Sequence, residues 1–128
     1  MRAVDTNVLV RLITRDDEEQ TKSAEEFIAK GAWVSHLVLA ETSWVLDSVY
    51  DRSRQEIASA VEMLLSHEHL TVQDQEVVEA AVEKFRRHKR VSFSDVFVLE
   101  IARKGGHAPL GTFDRDLAKL EGTEHLGG

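Results

Sequence analysis

Arg2-Ala3-Val4-Asp5-Thr6-Asn7-Val8-Leu9-Val10 sets one acid between two apolar runs. Arg2 to Val4 is only three residues long and leads into a helix that carries Arg11 and Arg15 one turn apart, so it reads as a short strand with Asp5 at its carboxyl end. The same arrangement recurs along the chain. Ala32 to Val34, Leu70 to Val72 and Ala108 to Leu110 are equally brief apolar segments, and each leads toward a helix. Ala24, Phe27 and Ile28 form a stripe that stops at Gly31. Ile57, Ala60, Val61, Leu64 and Leu65 repeat at i, i+3, i+4, i+7 and i+8, after Ser53 and Glu56 in capping-box spacing. Val78, Ala81, Val82 and Phe85 follow Asp74, read as an N-cap. Val96, Leu99 and Ala102 follow Ser94, also read as a cap, and stop at Gly105-Gly106. Short strands separated by helices argue for βαβ crossovers and a parallel sheet covered on both faces, in the order βαα, βαα, βαα, βα. The fold class is α/β.

Composition narrows the chemistry. The 128 residues fit a single domain over 1–128, with 42% hydrophobic and 30% charged residues, a globular balance. There is no cysteine, which excludes disulfides, thiolate zinc sites and cysteine nucleophiles. No apolar run reaches the length of a membrane span and no secretory leader is visible, so a soluble, cytoplasmic protein without a membrane partner is expected. Sixteen Lys and Arg against 23 Asp and Glu leave a net charge of −7, the opposite of what binding nucleic acid by phosphate neutralisation alone requires. An acidic balance suits a basic protein partner, or carboxylates that gather metal ions.

Four acids stand apart from the rest. Asp5 follows the first strand, and Asp114 follows the last clear strand in Leu110-Gly111-Thr112-Phe113-Asp114. Glu41 lies inside Leu37-Val38-Leu39-Ala40-Glu41-Thr42-Ser43-Trp44, and Asp95 inside Phe93-Ser94-Asp95-Val96-Phe97. A carboxylate buried in an apolar run must be paired, protonated or metal-bound, because burying it bare costs several kcal/mol. In open α/β sheets ligands gather beyond the carboxyl ends of the strands. The bland explanation of each acid alone is a helix cap or a satisfied structural carboxylate.

Val4-Asp5-Thr6-Asn7, Glu41 early in the third helix, Phe93-Ser94-Asp95 and Thr112-Phe113-Asp114 together resemble the PIN-domain ribonucleases. In length and single-domain organisation the chain is similar, more narrowly, to VapC-type toxins of toxin–antitoxin pairs. The resemblance implies a three-layer α/β/α sandwich with a short central parallel sheet, and an endoribonuclease dependent on Mg²⁺ or Mn²⁺. Where the late motif of that family opens on a second acid, this chain has Ser92. Asp5 and Asp95 are then expected to ligate metal, with Glu41 and Asp114 binding a second ion, holding metal-bound waters or orienting the nucleophile. Asn7 and Thr112 are expected to hydrogen-bond these carboxylates. Asp116 is the alternative to Asp114, with a surface cap as its other role. The expected partners are an RNA substrate, an antitoxin whose basic or amphipathic tail blocks the pocket, and a second copy of the chain docked on apolar surface around Trp44 and Val49.

Lys84-Phe85-Arg86-Arg87-His88-Lys89-Arg90 is locally basic. Arg86, Arg87, Lys89 and Arg90 read either as an electrostatic track for RNA or as cations decorating a helix C-terminus. His67 and His69 lack a third ligand and read as surface histidines. Trp33, Trp44, Phe27, Phe85 and Phe97 lie on apolar stripes and read as core or interface packing. Two rivals remain. An aspartate-nucleophile phosphatase would ordinarily show Asp-x-Asp where this chain has Asp5-Thr6-Asn7. A non-catalytic acidic module would dock a basic protein at the same pocket.

Overall fold

A computed structural model describes residues 1–127, in two compact units that divide after Gln75. The first unit runs β1 (Arg2–Ala3), α1 (Thr6–Thr14), α2 (Glu18–Ile28), β2 (Ala32–Val34), α3 (His36–Ser48), α4 (Arg54–Ser66) and β3 (Leu70–Val72). Its strands pair in parallel in the order β1-β2-β3, with Arg2 opposite Ala32 and Ala32 opposite Leu70. Parallel neighbours need a crossover, and each crossover here is a pair of helices. Leu9, Ile28, Val34, Leu39, Leu46 and Leu64 are fully buried and form this unit's core.

The second unit runs α5 (Gln75–Arg87), α6 (Phe93–Lys104), β4 (Leu110–Thr112), a single 3-10 turn at Leu117–Lys119 and β5 (Thr123–His125). β4 and β5 pair in parallel, Leu110 opposite Thr123. Its core holds Val78, Val96 and Leu99 with an aromatic group in which Phe93 meets Phe85 edge-on at 5.8 Å and Phe97 at 5.3 Å. One buried charge sits among them: the Glu100 carboxylate accepts a hydrogen bond from Lys84 Nζ, tying α6 to α5, with Arg103 Nε 3.9 Å from its other oxygen.

The α/β class and the three βαα repeats are those of the sequence, whereas the helix expected after the fourth strand is only the 3-10 turn at Leu117–Lys119. Three further details differ. The strands form a three-stranded and a two-stranded ladder, and β5 adds a strand beyond the expected set. The cap of α6 is Ser92 and not Ser94: Ser92 Oγ accepts from the Asp95 backbone N–H, and Asp95 accepts from the Ser92 N–H, a reciprocal pair that satisfies two otherwise orphaned donors. Asp74 does not hold the extended backbone usual for a cap, since its φ is 37°. Gly31, with φ 93°, closes α2 as expected, its N–H donating to the Ile28 carbonyl at 2.8 Å.

Candidate active site

In the first unit the site grows from the start of α1. Asp5 is the N-cap: its Oδ1 accepts from the Val8 N–H at 3.2 Å, which satisfies one of the first-turn donors. Thr6, the next residue, donates its hydroxyl hydrogen to Glu41 Oε2 at 3.0 Å across 35 positions of sequence. A carboxylate on α3 is thereby brought beside the residue that adjoins Asp5. Among the described residues, neither Asp5 Oδ2 nor Glu41 Oε1 takes a hydrogen bond, so one oxygen of each acid remains for a ligand.

Both acids are exposed. Glu41 is therefore not the buried carboxylate that its apolar surroundings suggested. The run from Leu37 to Val49 is apolar on nearly every side of α3, and the helix buries only Leu39, Thr42, Ser43 and Leu46. Leu37, Trp44 and Val49 face solvent at 69%, 64% and 65% exposure, so an apolar neighbour in sequence does not imply a dry environment here. Trp33 is also partly exposed, whereas Phe85 and Phe97 are core.

In the second unit Asp95 is half-buried at the N-terminus of α6, with Oδ2 engaged by the Ser92 N–H at 3.2 Å. Asp114 Oδ1 accepts from the backbone N–H groups of Asp116 and Leu117, at 2.8 and 3.1 Å. Asp114, not Asp116, is thus the side chain that caps the 3-10 turn. Asp116 makes no capping bond and lies 3.6 Å from Lys119 Nζ. Asp5, Asp95 and Asp114 all have the local capping bonds that the bland explanation foresaw, and in each the second oxygen accepts none among the described residues.

The supporting groups differ from those expected. Thr112 Oγ1 accepts from the Asp114 N–H at 3.0 Å, so it fixes the main chain and not the carboxylate. Asn7 makes no described hydrogen bond to an acid; Thr6 does so in its place. Thr6 went unremarked in the sequence, where the only trace of its role is a hydroxyl adjoining Asp5. Among the described residues no group of three or more His, Asp or Glu is set to hold a metal ion, and His67 and His69 simply lie against one another, with ring centroids 5.7 Å apart.

The basic segment is partly neutralised. Lys84 is committed to Glu100, and Arg87 Nη2 lies 2.6 Å from Glu83 one helical turn back. α5 ends at Arg87, so these cations do occupy a helix C-terminus. Lys89 and Arg90 lie beyond it and are exposed.

No curated protein and no solved structure matches the chain significantly. The family model for the PIN domain matches residues 2–122, which include all four acids and nearly every element of both units. On that match, which spans nearly the whole chain, this chain belongs to the PIN domain family, whose members are typically nucleases.

Proposed function

We propose that the chain is an endoribonuclease that uses Mg²⁺ or Mn²⁺ and serves as the toxin of a toxin–antitoxin pair. The observation that supports this is the hydrogen bond to Glu41 on α3 from Thr6, the residue that follows Asp5 in the chain. Magnesium is ordinarily held by one or two carboxylates together with water and the substrate's phosphate, so a ready-made cage of three acids is not required. An all-oxygen donor set without cysteine suits these hard ions. Asp5 in the first unit and Asp95 in the second would each serve as a metal ligand, and Glu41 and Asp114 would each bind a further ion, hold metal-bound water or orient the attacking water. Bound there, the ion supplies positive charge to the phosphodiester and acidifies water.

The chain's own residues have the task of presentation. The Val8 N–H engages Asp5 Oδ1 and the Thr6 hydroxyl engages Glu41 Oε2, which restrains each carboxylate and leaves its second oxygen for a ligand. The Ser92 N–H does the same for Asp95. An antitoxin with a basic or amphipathic tail complements the net charge of −7, and the exposed Leu37, Trp44 and Val49 offer α3 to a second copy. One observation favours the non-catalytic alternative, an acidic module for a basic protein: the described residues contain no three-acid group set for a metal.

Cleavage of single-stranded RNA separates the two. The protein is expected to cut in Mn²⁺ and to stop on addition of chelator. Asp5→Asn and Asp95→Asn should each lower the rate roughly 100-fold, since losing a ligand costs at least what losing its supporting group does. Asp95→Asn should cost only about 0.5 kcal/mol of stability, because the amide oxygen still accepts from Ser92 and only the charge at the helix N-terminus is lost. Cutting that survives chelator overturns the metal mechanism, and intact binding of a basic peptide without any cutting favours the module.

A further inference from the structure

Between α1 and α2, within the first unit, lies a cavity of about 440 Å³, in the range of small-ligand sites. It opens beside the candidate active site: its lining begins at Asn7, two residues after Asp5, and continues along α1 through Val8 to Arg11. α2 contributes Gln20, Ser23, Ala24 and Phe27, which share one helical face. From this lining we infer that the cavity receives a nucleobase of the RNA strand being cut, and so sets which base flanks the scissile bond. The inference rests on the nuclease function proposed above.

The chemistry of the lining selects a neutral, flat, hydrogen-bonding group. Arg11 brings no free charge, for its guanidinium is bound to Asp16 at 2.8 Å and to Gln20 and the Tyr50 hydroxyl besides. α2 opens with Glu18 and Glu19, which disfavours a phosphate at this place. What remains available is polar but uncharged. Asn7 and Ser23 are exposed and take no hydrogen bond among the described residues, and the Gln20 amide, its oxygen engaged by Arg11, keeps its N–H donors. Amide and hydroxyl groups of this kind read base edges. Val8, Ala24 and Phe27 form the apolar wall. The Phe27 ring is held in place by Arg2, whose guanidinium lies 3.9 Å over its centroid and donates to the Phe27 carbonyl at 3.0 Å. Flat bases pack on such pre-set aromatic and apolar surfaces.

Titration of ¹⁵N-labelled protein with each nucleoside 5′-monophosphate, and with inorganic phosphate, in chelator tests this without relying on cleavage. The expected result is amide shifts confined to Asn7, Ser23, Ala24 and Phe27, with one base favoured about tenfold over another and no response there to inorganic phosphate. Ser23→Trp, which fills the cavity from an exposed position, should weaken the favoured nucleotide about tenfold with an unchanged circular-dichroism spectrum. In Mn²⁺ the same variant should cut a sequence-randomised RNA with a flattened base preference. Phe27→Leu is the second variant and should weaken binding in the same sense. Shifts that are absent from these amides, or that inorganic phosphate reproduces, overturn the assignment, as does an unchanged cleavage preference in Ser23→Trp. Base-selective shifts in a protein that cuts no RNA would instead retain the pocket and remove the nuclease function.

Discussion

Thr6 carries a role that its side chain's size conceals. Its hydroxyl holds Glu41, so Thr6→Val, nearly isosteric, removes one donor and leaves the shape intact. Freed from that bond, Glu41 can rotate on an exposed helix face. Cleavage is expected to fall about tenfold through kcat, with KM for RNA little changed, while stability shifts by less than about 1 kcal/mol. Thr6→Ser should restore the rate, because it returns the hydroxyl; a Thr6→Val enzyme as active as the parent would show that Glu41 needs no support. Thr6 also marks where the sequence ceases to be readable. Asp5, Glu41, Asp95 and Asp114 were visible as acids among apolar neighbours, a local pattern. The bond that links residue 6 to residue 41 depends on how α3 packs against α1, which no local pattern contains. The exposure of Glu41 is hidden from the sequence for a related reason: hydrophobic neighbours along a helix say nothing of which side is covered. Ser92 and Asp95 have the spacing of a capping box, but the hydroxyl of Ser94 beside Asp95 offers a competing cap that sequence alone does not rank.

Helix faces decide the next scale. Glu100 lies four residues after Val96, on the buried side of α6, where its partner Lys84 reaches it from α5. Removing one member strands the other without a partner of equal quality, since Arg103 stands 3.9 Å away. Lys84→Met is expected to cost about 3 kcal/mol in urea unfolding, and the double variant Lys84→Met with Glu100→Leu should recover most of it by replacing a buried pair with apolar packing. Additive losses in the double variant would refute that coupling. A second junction is sensitive to acid. At the end of α1, Asp16 accepts from the Thr14 hydroxyl at 2.8 Å, from Tyr50 at 3.2 Å and from Arg11, and these hold its carboxyl below the ordinary value, the Thr14 bond most of all. The unfolded chain then binds the proton more readily, so this junction stabilises the fold above the ordinary carboxylate pKa of about 4 and ceases to do so as pH falls through the lower folded value. Asp16→Asn should therefore lower Tm at pH 7 and differ progressively less from the parent toward pH 2; a constant difference would exclude the linkage. Element order was legible because stripes such as Val78, Ala81, Val82 and Phe85 repeat without ambiguity. Strand pairing was not, since two or three residues per strand hold too little pattern to fix which ladders form.

Charge is the property that belongs to the molecule as a whole. A chain with net charge −7 repels a polyanion at long range, so RNA must be held by cations close to where it lies, and those cations must not already be spent on acids of the protein itself. That criterion divides the basic segment. Arg87 is paired with Glu83, Lys84 with Glu100, and Arg86 is likewise engaged, which leaves Lys89 and Arg90, exposed just past the end of α5, as the members best placed to meet phosphates. Each phosphate contact with single-stranded nucleic acid contributes about 0.7 to the slope of log affinity against log salt. Replacing both Lys89 and Arg90 by alanine should thus flatten the slope by about 1.4, measured with an uncleaved RNA in chelator. Arg87→Ala should change it far less, because a guanidinium already paired with Glu83 makes no phosphate contact that could be lost. If instead Arg87→Ala flattens the slope as much as the double replacement, the ion pair with Glu83 opens on binding and α5 itself contributes to the RNA track. If neither variant changes the slope, the segment serves its helix terminus alone, and the phosphates meet the protein elsewhere.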